Sequence, residues 1–366
     1  MVEWNYKSDI YSSTGYEDLY SVLDTYTKDR YDKATKEEQD QMVEDVFKIY
    51  RDRDIFPSTY YSEEGVRQEI LKAIESTPYI ENNIIKGSGF TSLCTFFFPN
   101  FYDAYNIHGY SGGNFESGRF KFYSDDFFKK VVRFAIKSHN DAKPEGILAG
   151  MCQVGSLPKN FCPMYAKAVY EKYCPENGII WDYCCGYGGR LLGCLSSKKN
   201  FTYIGTEPNS ETYENLNKFG NAIESVTQRK DSFRVIKQGS EVVKFKEGIF
   251  DFAFSSPPYF NLEHYSDEPT QCYNKFPDIY SWIDGYVKAT IHNIFIYLKS
   301  NRYYAVNIAD FNNGSKLVNY VDIWKDISLK EGFKFHDEIY LRLTVPCGNG
   351  NRKKTKKERV MVFYKE

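Results

Sequence analysis

The chain has 366 residues, with 47 Lys and Arg against 49 Asp and Glu and a formal net charge of −2. Hydrophobic residues make up 42% and charged residues 26%, enough to build a sizeable core and too much apolar content for wholesale disorder. The length fits two domains or one large one, and the balanced charge excludes a chain-wide polycation, so any nucleic-acid contact has to come from a local basic patch.

In chain order, the first 55 or so residues read as charged and helical. The segment 35–53 opens on Thr35, carries acidic residues early and ends in Arg51 and Arg53, matching the helix macrodipole. Met42, Val43, Val46 and Ile49 recur along it at helical spacing. A Gly/Ser/Asn-rich loop spans 108–120, and a second helix is expected over 125–139. The region 1–150 is therefore expected to be mainly helical with a few short strands.

From residue 158 the pattern changes to strands alternating with helices. A helix is expected over 164–173 and a buried strand over 178–183, followed by a Gly-rich turn and a helix. Further strands are expected over 201–207, 234–238, 249–256 and 303–311. Helices are expected from about Ser210, over 280–298 and over 316–330. The last two strands, 337–345 and 359–365, have no helix between them and read as an antiparallel hairpin. Such alternation predicts a parallel sheet with helices on both faces.

Three segments at expected strand ends carry chemistry. In DYCCGYGGR (182–190) the glycines let backbone amides approach a ligand, but Gly186, Gly188 and Gly189 lack the G-x-G-x-x-G spacing of a dinucleotide site. Asp182, at its head, is a poor neighbour for a pyrophosphate and suits a cationic ligand better. Glu207, after the second strand, is placed to accept both hydroxyls of an adenosine ribose. In SSPPYF (255–260) two prolines fix the backbone and remove local amide donors. With Ser256 before them and Tyr259 after, they form a slot for a planar amine.

These motifs resemble the S-adenosylmethionine-dependent DNA amino-methyltransferases, with the Gly-rich loop about 70 residues ahead of an S-P-P-Y motif. The resemblance covers about residues 158–366. It implies a class I methyltransferase fold, an α/β Rossmann-like seven-stranded sheet closed by an antiparallel hairpin, in a catalytic domain at 151–366. The N-terminal region 1–150 is then a candidate for target recognition, as is the long loop after Tyr259.

The resemblance implies that S-adenosylmethionine is the cofactor, held by Phe161, Pro163, Asp182, Cys184, Gly186, Gly188, Glu207, Ser240 and Ser255. It implies that Ser256, Pro257, Pro258 and Tyr259 are catalytic: the Ser256 hydroxyl and Pro257 carbonyl orient the target amine, and Tyr259 stacks on a flipped DNA base. S-P-P-Y favours cytosine N4 slightly over adenine N6. An RNA base amine, a protein glutamine amide and a non-catalytic scaffold are the alternatives. The loop departs from the family's Asp-Pro, having Asp182-Tyr183 followed by Cys184, which touches the subfamily rather than the cofactor.

A basic patch, NRKKTKKER (351–359), lies in the expected hairpin, and its Arg352, Lys353, Lys354, Lys356, Lys357 and Arg359 are candidate phosphate contacts. Pro346-Cys347 follows a late strand, the wrong place for the nucleophile of cytosine-C5 methylation. Five isolated His offer no metal cluster, and His264, near the S-P-P-Y motif, reads as a polar contact or substrate helper rather than a ligand. The nine Cys are scattered through apolar stretches without C-x-x-C pairs, and adjacent Cys184 and Cys185 suit neither zinc nor an ordinary disulfide. A reduced, cytosolic interior is expected, in a bacterial or phage-infected cell by the resemblance and in a restriction-modification or phage setting. The polar start MVEWNYKSDI is unlike a signal peptide, and no apolar run approaches the roughly 20 residues of a membrane span. Aromatics at 17% are compatible with base stacking and equally with biased coding.

Overall fold

The computed structural model describes residues 13–106, 116–139, 141–155, 157, 159–313, 316–344 and 355–366. The chain divides into two compact units. The first takes its described residues from Met1–Val66, Pro99–Asn106 and Asn114–Lys159; the second takes its own from Arg67–Phe98 and Asn160–Glu366.

The first unit is helical. Helix α1 (Lys36–Arg53) starts on a capping box: Thr35 Oγ1 accepts from the Glu38 amide at 3.3 Å and the Glu38 carboxylate accepts from the Thr35 amide at 2.8 Å. Its Met42, Val43, Val46, Phe47 and Tyr50 are buried. Helix α2 (Asp125–Phe134) buries Phe128, Val131 and Val132, with Phe128 edge-on to Tyr50 at 5.5 Å. The chain then continues as a wider π turn over Ala135–His139.

The second unit is built on a sheet of nine strands: β1 (Tyr79–Glu81), β2 (Ile84–Lys86), β3 (Ile179–Asp182), β4 (Thr202–Thr206), β5 (Phe233–Ile236), β6 (Phe250–Ser255), β7 (Leu298–Ile308), β8 (Lys334–Thr344) and β9 (Thr355–Lys365). Their order is β1-β2-β8-β9-β7-β6-β3-β4-β5. Strands β3 to β7 pair in parallel, and β9 runs antiparallel between β7 and β8. The seven strands β3 to β9 thus form the class I methyltransferase sheet with its closing hairpin. The expected seven strands are extended to nine by β1 and β2, a tight turn of three-residue strands whose alternation is too short to read. Two positive-φ residues, Asn82 and Asn83, make that turn.

Helices cover both faces. On one, helix α3 (Pro163–Tyr173) sets Tyr170 edge-on to Phe252 and Phe254, and Tyr173 stacks on Phe252 at 6.1 Å. On the other, Ile291 and Ile294 join Trp181, Phe250, Tyr304 and Trp324 in one hydrophobic cluster. The long helix expected over 280–298 is there, but as Ile279–Trp282, a π turn Ile283–Lys288 and a final stretch Ala289–Tyr297. The helix expected over 316–330 starts later, at Tyr320–Glu331. Lys316–Val318 pairs instead with Phe311–Asn313 as a small hairpin, and Asp310 accepts from the Val321 amide at 3.0 Å at the helix start.

Besides the pairing of β2 with β8, residues 67–98 are held within this unit by a buried cation. Lys167, on α3, is 2% exposed and donates to the carbonyls of Ala73, Ile74 and Ser76 at 2.9, 2.9 and 2.7 Å. These close the C-terminal end of the helix Glu63–Glu75, whose last carbonyls have no partner within the helix.

Candidate functional site

A parallel sheet collects its strand-end loops at one edge, and ligands bind there because the chain must turn and leave backbone groups free. At this edge stand the Gly-rich loop after β3, Glu207 after β4 and the Ser-Pro-Pro-Tyr turn after β6.

Asp182 is the hub. It is fully buried, and its carboxylate accepts from Arg190 Nε at 2.9 and 3.1 Å, from the Tyr203 hydroxyl at 2.8 Å and from Ser255 Oγ at 2.7 Å. The cation beside Asp182 is therefore Arg190, from the chain itself. Arg190 also donates to the Cys184 carbonyl, which accepts from Ser255 Oγ at 3.0 Å. Ser255 thus braces the loop through Asp182 and Cys184. The Arg190 guanidinium lies 5.2 Å from the centre of the Phe161 ring.

Two glycines of the loop have positive φ, Gly186 at 56° and Gly188 at 73°. A Cβ on Gly188 would lie 2.7 Å from Phe98 and 2.8 Å from Phe219, so the turn needs glycine there for space as well as conformation. Gly186 faces the opposite situation, with the nearest atom to a built Cβ 3.7 Å away. The segment ahead of α3 packs onto this loop: Asn160 Nδ2 donates to the Tyr187 carbonyl at 2.9 Å, and the Phe161 carbonyl fills the space beside Gly189. Pro163 opens α3 at its first position, where a missing amide is tolerated. Cys184 is half-buried and its Sγ lies 2.8 Å from the Tyr286 hydroxyl, in the π turn; burial pushes this thiol far up, so it is not a thiolate.

Glu207 is 8% exposed. Its Oε1 accepts from the Asn209 amide at 2.9 Å. Burial pushes its carboxyl up to about 7, against the lowering effect of the Asn209 and Gly186 amides. Beside it, the chain after Tyr259 folds back: Glu268 accepts from the Ser210 amide at 3.0 and 3.2 Å, capping helix α5 (Ser210–Thr227; α4 being Gly189–Leu195).

In the Ser-Pro-Pro-Tyr turn, Ser256 is half-buried and its hydroxyl has no hydrogen-bond partner among the described residues. Pro257 is buried and Pro258 half-buried. The Tyr259 hydroxyl accepts from the Ala309 amide at 3.0 Å, and its ring meets Phe311 and Tyr320 edge-on at 5.6 Å each. Two residues further on, Asn261 Oδ1 is buried with no hydrogen-bond partner among the described residues, a group that an incoming N–H or O–H would satisfy.

The remaining sequence candidates fall differently. Ser240 is buried, with Oγ 2.9 Å from Thr290 Oγ1 and its carbonyl accepting from Asn293, so its side chain is taken up in the core. His264 Nε2 lies 3.1 Å from Asp267. Of the basic patch, Lys357 and Arg359 are described; Arg352, Lys353 and Lys354, the side chain of Lys356, and the Pro346-Cys347 pair lie outside the described residues. Among the described residues, no three His, Cys, Asp or Glu side chains gather for a metal. No helix among them is long and apolar enough to cross a membrane.

Sequence reasoning missed Arg190, Tyr203 and Asn160. Arg190 had a signal: a single charge heading the apolar stretch RLLGCL needs a buried partner, and the nearest acid before it is Asp182. Tyr203 and Asn160 had none.

The donor set fits an adenosyl cofactor. Glu207 offers a nearly buried carboxylate for a diol, Gly186 leaves room for close approach, and the buried Asn261 oxygen has no donor among the described residues.

No family model and no curated protein matches the chain. Among solved structures it is similar to a TehB-like SAM-dependent methyltransferase from Corynebacterium glutamicum, at 15% identity over 60% of this chain and 94% of that one, with a TM-score of 0.36. It is also similar to TrmN from Thermus thermophilus, at 12% identity over 58% of this chain and 51% of that one, with a TM-score of 0.38. A SAM-dependent methyltransferase from Methanosarcina mazei shows 14% identity over 54% of this chain and 96% of that one, with a TM-score of 0.34.

Proposed function

We propose that the protein transfers a methyl group from S-adenosylmethionine to an exocyclic amine of a DNA base, with cytosine N4 slightly favoured over adenine N6. The observation that carries this reading is the half-buried Ser256 hydroxyl, unpartnered among the described residues, at the head of a Pro-Pro turn, on the strand edge that also holds Glu207 and the Gly-rich loop. The cofactor, when bound, supplies an electrophilic methyl group on a sulfonium.

The chain's own residues bind and orient. Glu207 accepts the ribose hydroxyls, and the amides around Gly186 lie against the ligand without a side chain between. Ser256 Oγ and the Pro257 carbonyl accept the two N–H bonds of a planar amine, turning its lone pair toward the methyl carbon. With the cofactor held there, formation of the N–C bond would be balanced by breaking of the C–S bond, its electron pair going to sulfur. The methylated nitrogen, now cationic and acidic, gives a proton to water. Neither Ser256 nor the prolines act as a base; positioning supplies the rate. Tyr259 is held by Ala309, Phe311 and Tyr320, and lends a fixed aromatic wall to a flipped base. Sequence recognition falls to the N-terminal unit in this reading.

The test is methylation of DNA by the full chain with isotope-labelled cofactor, followed by digestion to nucleosides and mass analysis. Labelled N4-methylcytosine or N6-methyladenine is expected, and Ser256→Ala should lower the rate by about tenfold to a hundredfold with cofactor affinity unchanged. Label in neither nucleoside across DNAs of varied sequence would overturn the reading; label in RNA or in protein glutamine would reassign the substrate.

A further inference from the structure

The final hairpin is longer than the sheet it closes. Ser255, where the Pro-Pro turn begins, pairs with Val306, and Val306 with Met361. The last pair between β7 and β9 is Ile308 with Arg359. On the other side, β2 pairs with β8 at Tyr340. Beyond these, β8 and β9 continue alone through the pairs Leu341–Glu358, Arg342–Lys357, Leu343–Lys356 and Thr344–Thr355. At about 3.3 Å per residue, this two-stranded ribbon extends roughly 13 Å past the sheet, at the same edge as the Ser-Pro-Pro-Tyr turn.

Directly opposed residues share a face of a ribbon. One face carries Tyr340 opposite Arg359, then Arg342 opposite Lys357. Arg359 is balanced by Glu338 at 3.3 Å. Arg342 and Lys357 are exposed, and neither makes an ion pair among the described residues. Lys357 Nζ lies 5.6 Å from the centre of the Tyr340 ring. Two like charges set directly across a strand pair repel. Glu358, one residue away, falls on the other face by alternation; the Glu263 carboxyl is pushed up mainly by burial, with the Glu358 charge adding to it. The ribbon is also fastened: the Tyr165 hydroxyl, on α3, donates to the Arg342 carbonyl at 2.8 Å.

We infer that this ribbon is a docking arm for duplex DNA, with Arg342 and Lys357 seated on phosphates. The inference rests on the proposed substrate class and deepens it. A two-stranded ribbon fits a duplex groove, and a phosphate between Arg342 and Lys357 turns their repulsion into shared attraction. Because the ribbon rises from the edge that carries Ser256, phosphates held there keep a flipped nucleotide within reach of the amine slot. The contacts carry no sequence information; they set orientation and affinity.

The experiment compares wild type, Arg342→Glu/Lys357→Glu and Lys334→Glu, a reversal at the far end of the same hairpin. Binding of the full chain to a labelled 30-base-pair DNA is read by anisotropy across a salt series, with the RNA duplex of the same sequence alongside. Losing two phosphate contacts should flatten the slope of log affinity against log salt by about 2 and weaken binding at 0.1 M salt by tenfold to a hundredfold. Lys334→Glu should match wild type, and thermal stabilisation by S-adenosylmethionine should be equal in all three. An unchanged slope in the double variant, or no DNA binding by wild type, overturns the arm. Charge-sensitive binding of the RNA alone overturns DNA as its occupant. Salt-dependent DNA binding that the double variant loses, without methylation of any DNA by wild type, upholds the arm and removes the methylation reading instead.

Discussion

Replacing Glu207 by glutamine tests the buried carboxylate directly. Its carboxyl is pushed from an ordinary 4.5 to about 7, mainly by burial. Between these values the unfolded chain has released the proton and the folded chain keeps it. The stability this group contributes is therefore fully present below 4.5 and lost as pH rises through 7. A shift of about 2.5 units corresponds to roughly 3 kcal/mol. The amide that Glu207→Gln introduces has one oxygen for the amides of Asn209 and Gly186, so about 1 kcal/mol returns as a lost hydrogen bond. The variant should be more stable than wild type at pH 8 by roughly 2 kcal/mol, and no more stable at pH 4.5. Urea unfolding at several pH values measures this, followed by tryptophan fluorescence, because Trp181, Trp282 and Trp324 are all buried in the second unit. The same change should abolish S-adenosylmethionine binding, which in wild type should tighten as pH rises from 6 to 8 and the carboxylate ionises. Parallel stability profiles for the two proteins between pH 5 and 8 would refute the buried-carboxyl argument. Wild-type cofactor affinity in Glu207→Gln would refute its assignment to the ribose.

Three further outcomes follow from the packing. Arg190→Ala leaves Asp182 buried without its cation and should destabilise the second unit by about 3–5 kcal/mol, read as a lowered urea midpoint. Gly188→Ala combines a positive φ with contacts under 3 Å to Phe98 and Phe219, and should cost more than about 2 kcal/mol in the same assay, with cofactor binding weakened. A fragment 160–366 loses the carbonyl partners of Lys167, the strand β2 and the Phe98 ring behind Gly188, and should lack the cooperative thermal transition of the full chain; a native-like transition would show that residues 67–98 are dispensable.

The strands and their loops were legible because burial on both faces makes parallel strands read as short apolar runs between Gly-rich or polar turns. IIWD before the glycines and FDFAFS before the prolines are such runs, and the hairpin showed itself by the missing helix. Less legible were elements whose conformation depends on a distant partner. Lys316–Val318 has helical company in sequence, yet pairs with Phe311–Asn313 because Asp310 caps the helix only from Tyr320. The π turn at Ile283–Lys288 leaves no mark in periodicity; Gly285, pressed against Phe276, is its one hint. Motif spacing put Glu207 and Ser256 just after strand ends, where the structure has them, but the polar clamp joining Asp182, Arg190, Tyr203 and Ser255 spans 73 residues and exists only after folding. For Ser240, a place after the right strand said nothing about which way the side chain turns.

The position of β9 has a consequence for how the chain acquires its shape. It is the last of the nine strands to be synthesised, yet it lies between two that precede it. The first of the nine begins at Tyr79, so at roughly 5–20 residues per second on the ribosome, β1 and β2 wait some tens of seconds for the strand that joins β8 to β7. Strand β7, complete at Ile308, waits only for the stretch up to Lys365, roughly 3–11 seconds at the same rate; through that time it offers an unpaired edge, the kind that invites aggregation, and a chaperone covering Leu298–Ile308 would raise the yield of this protein.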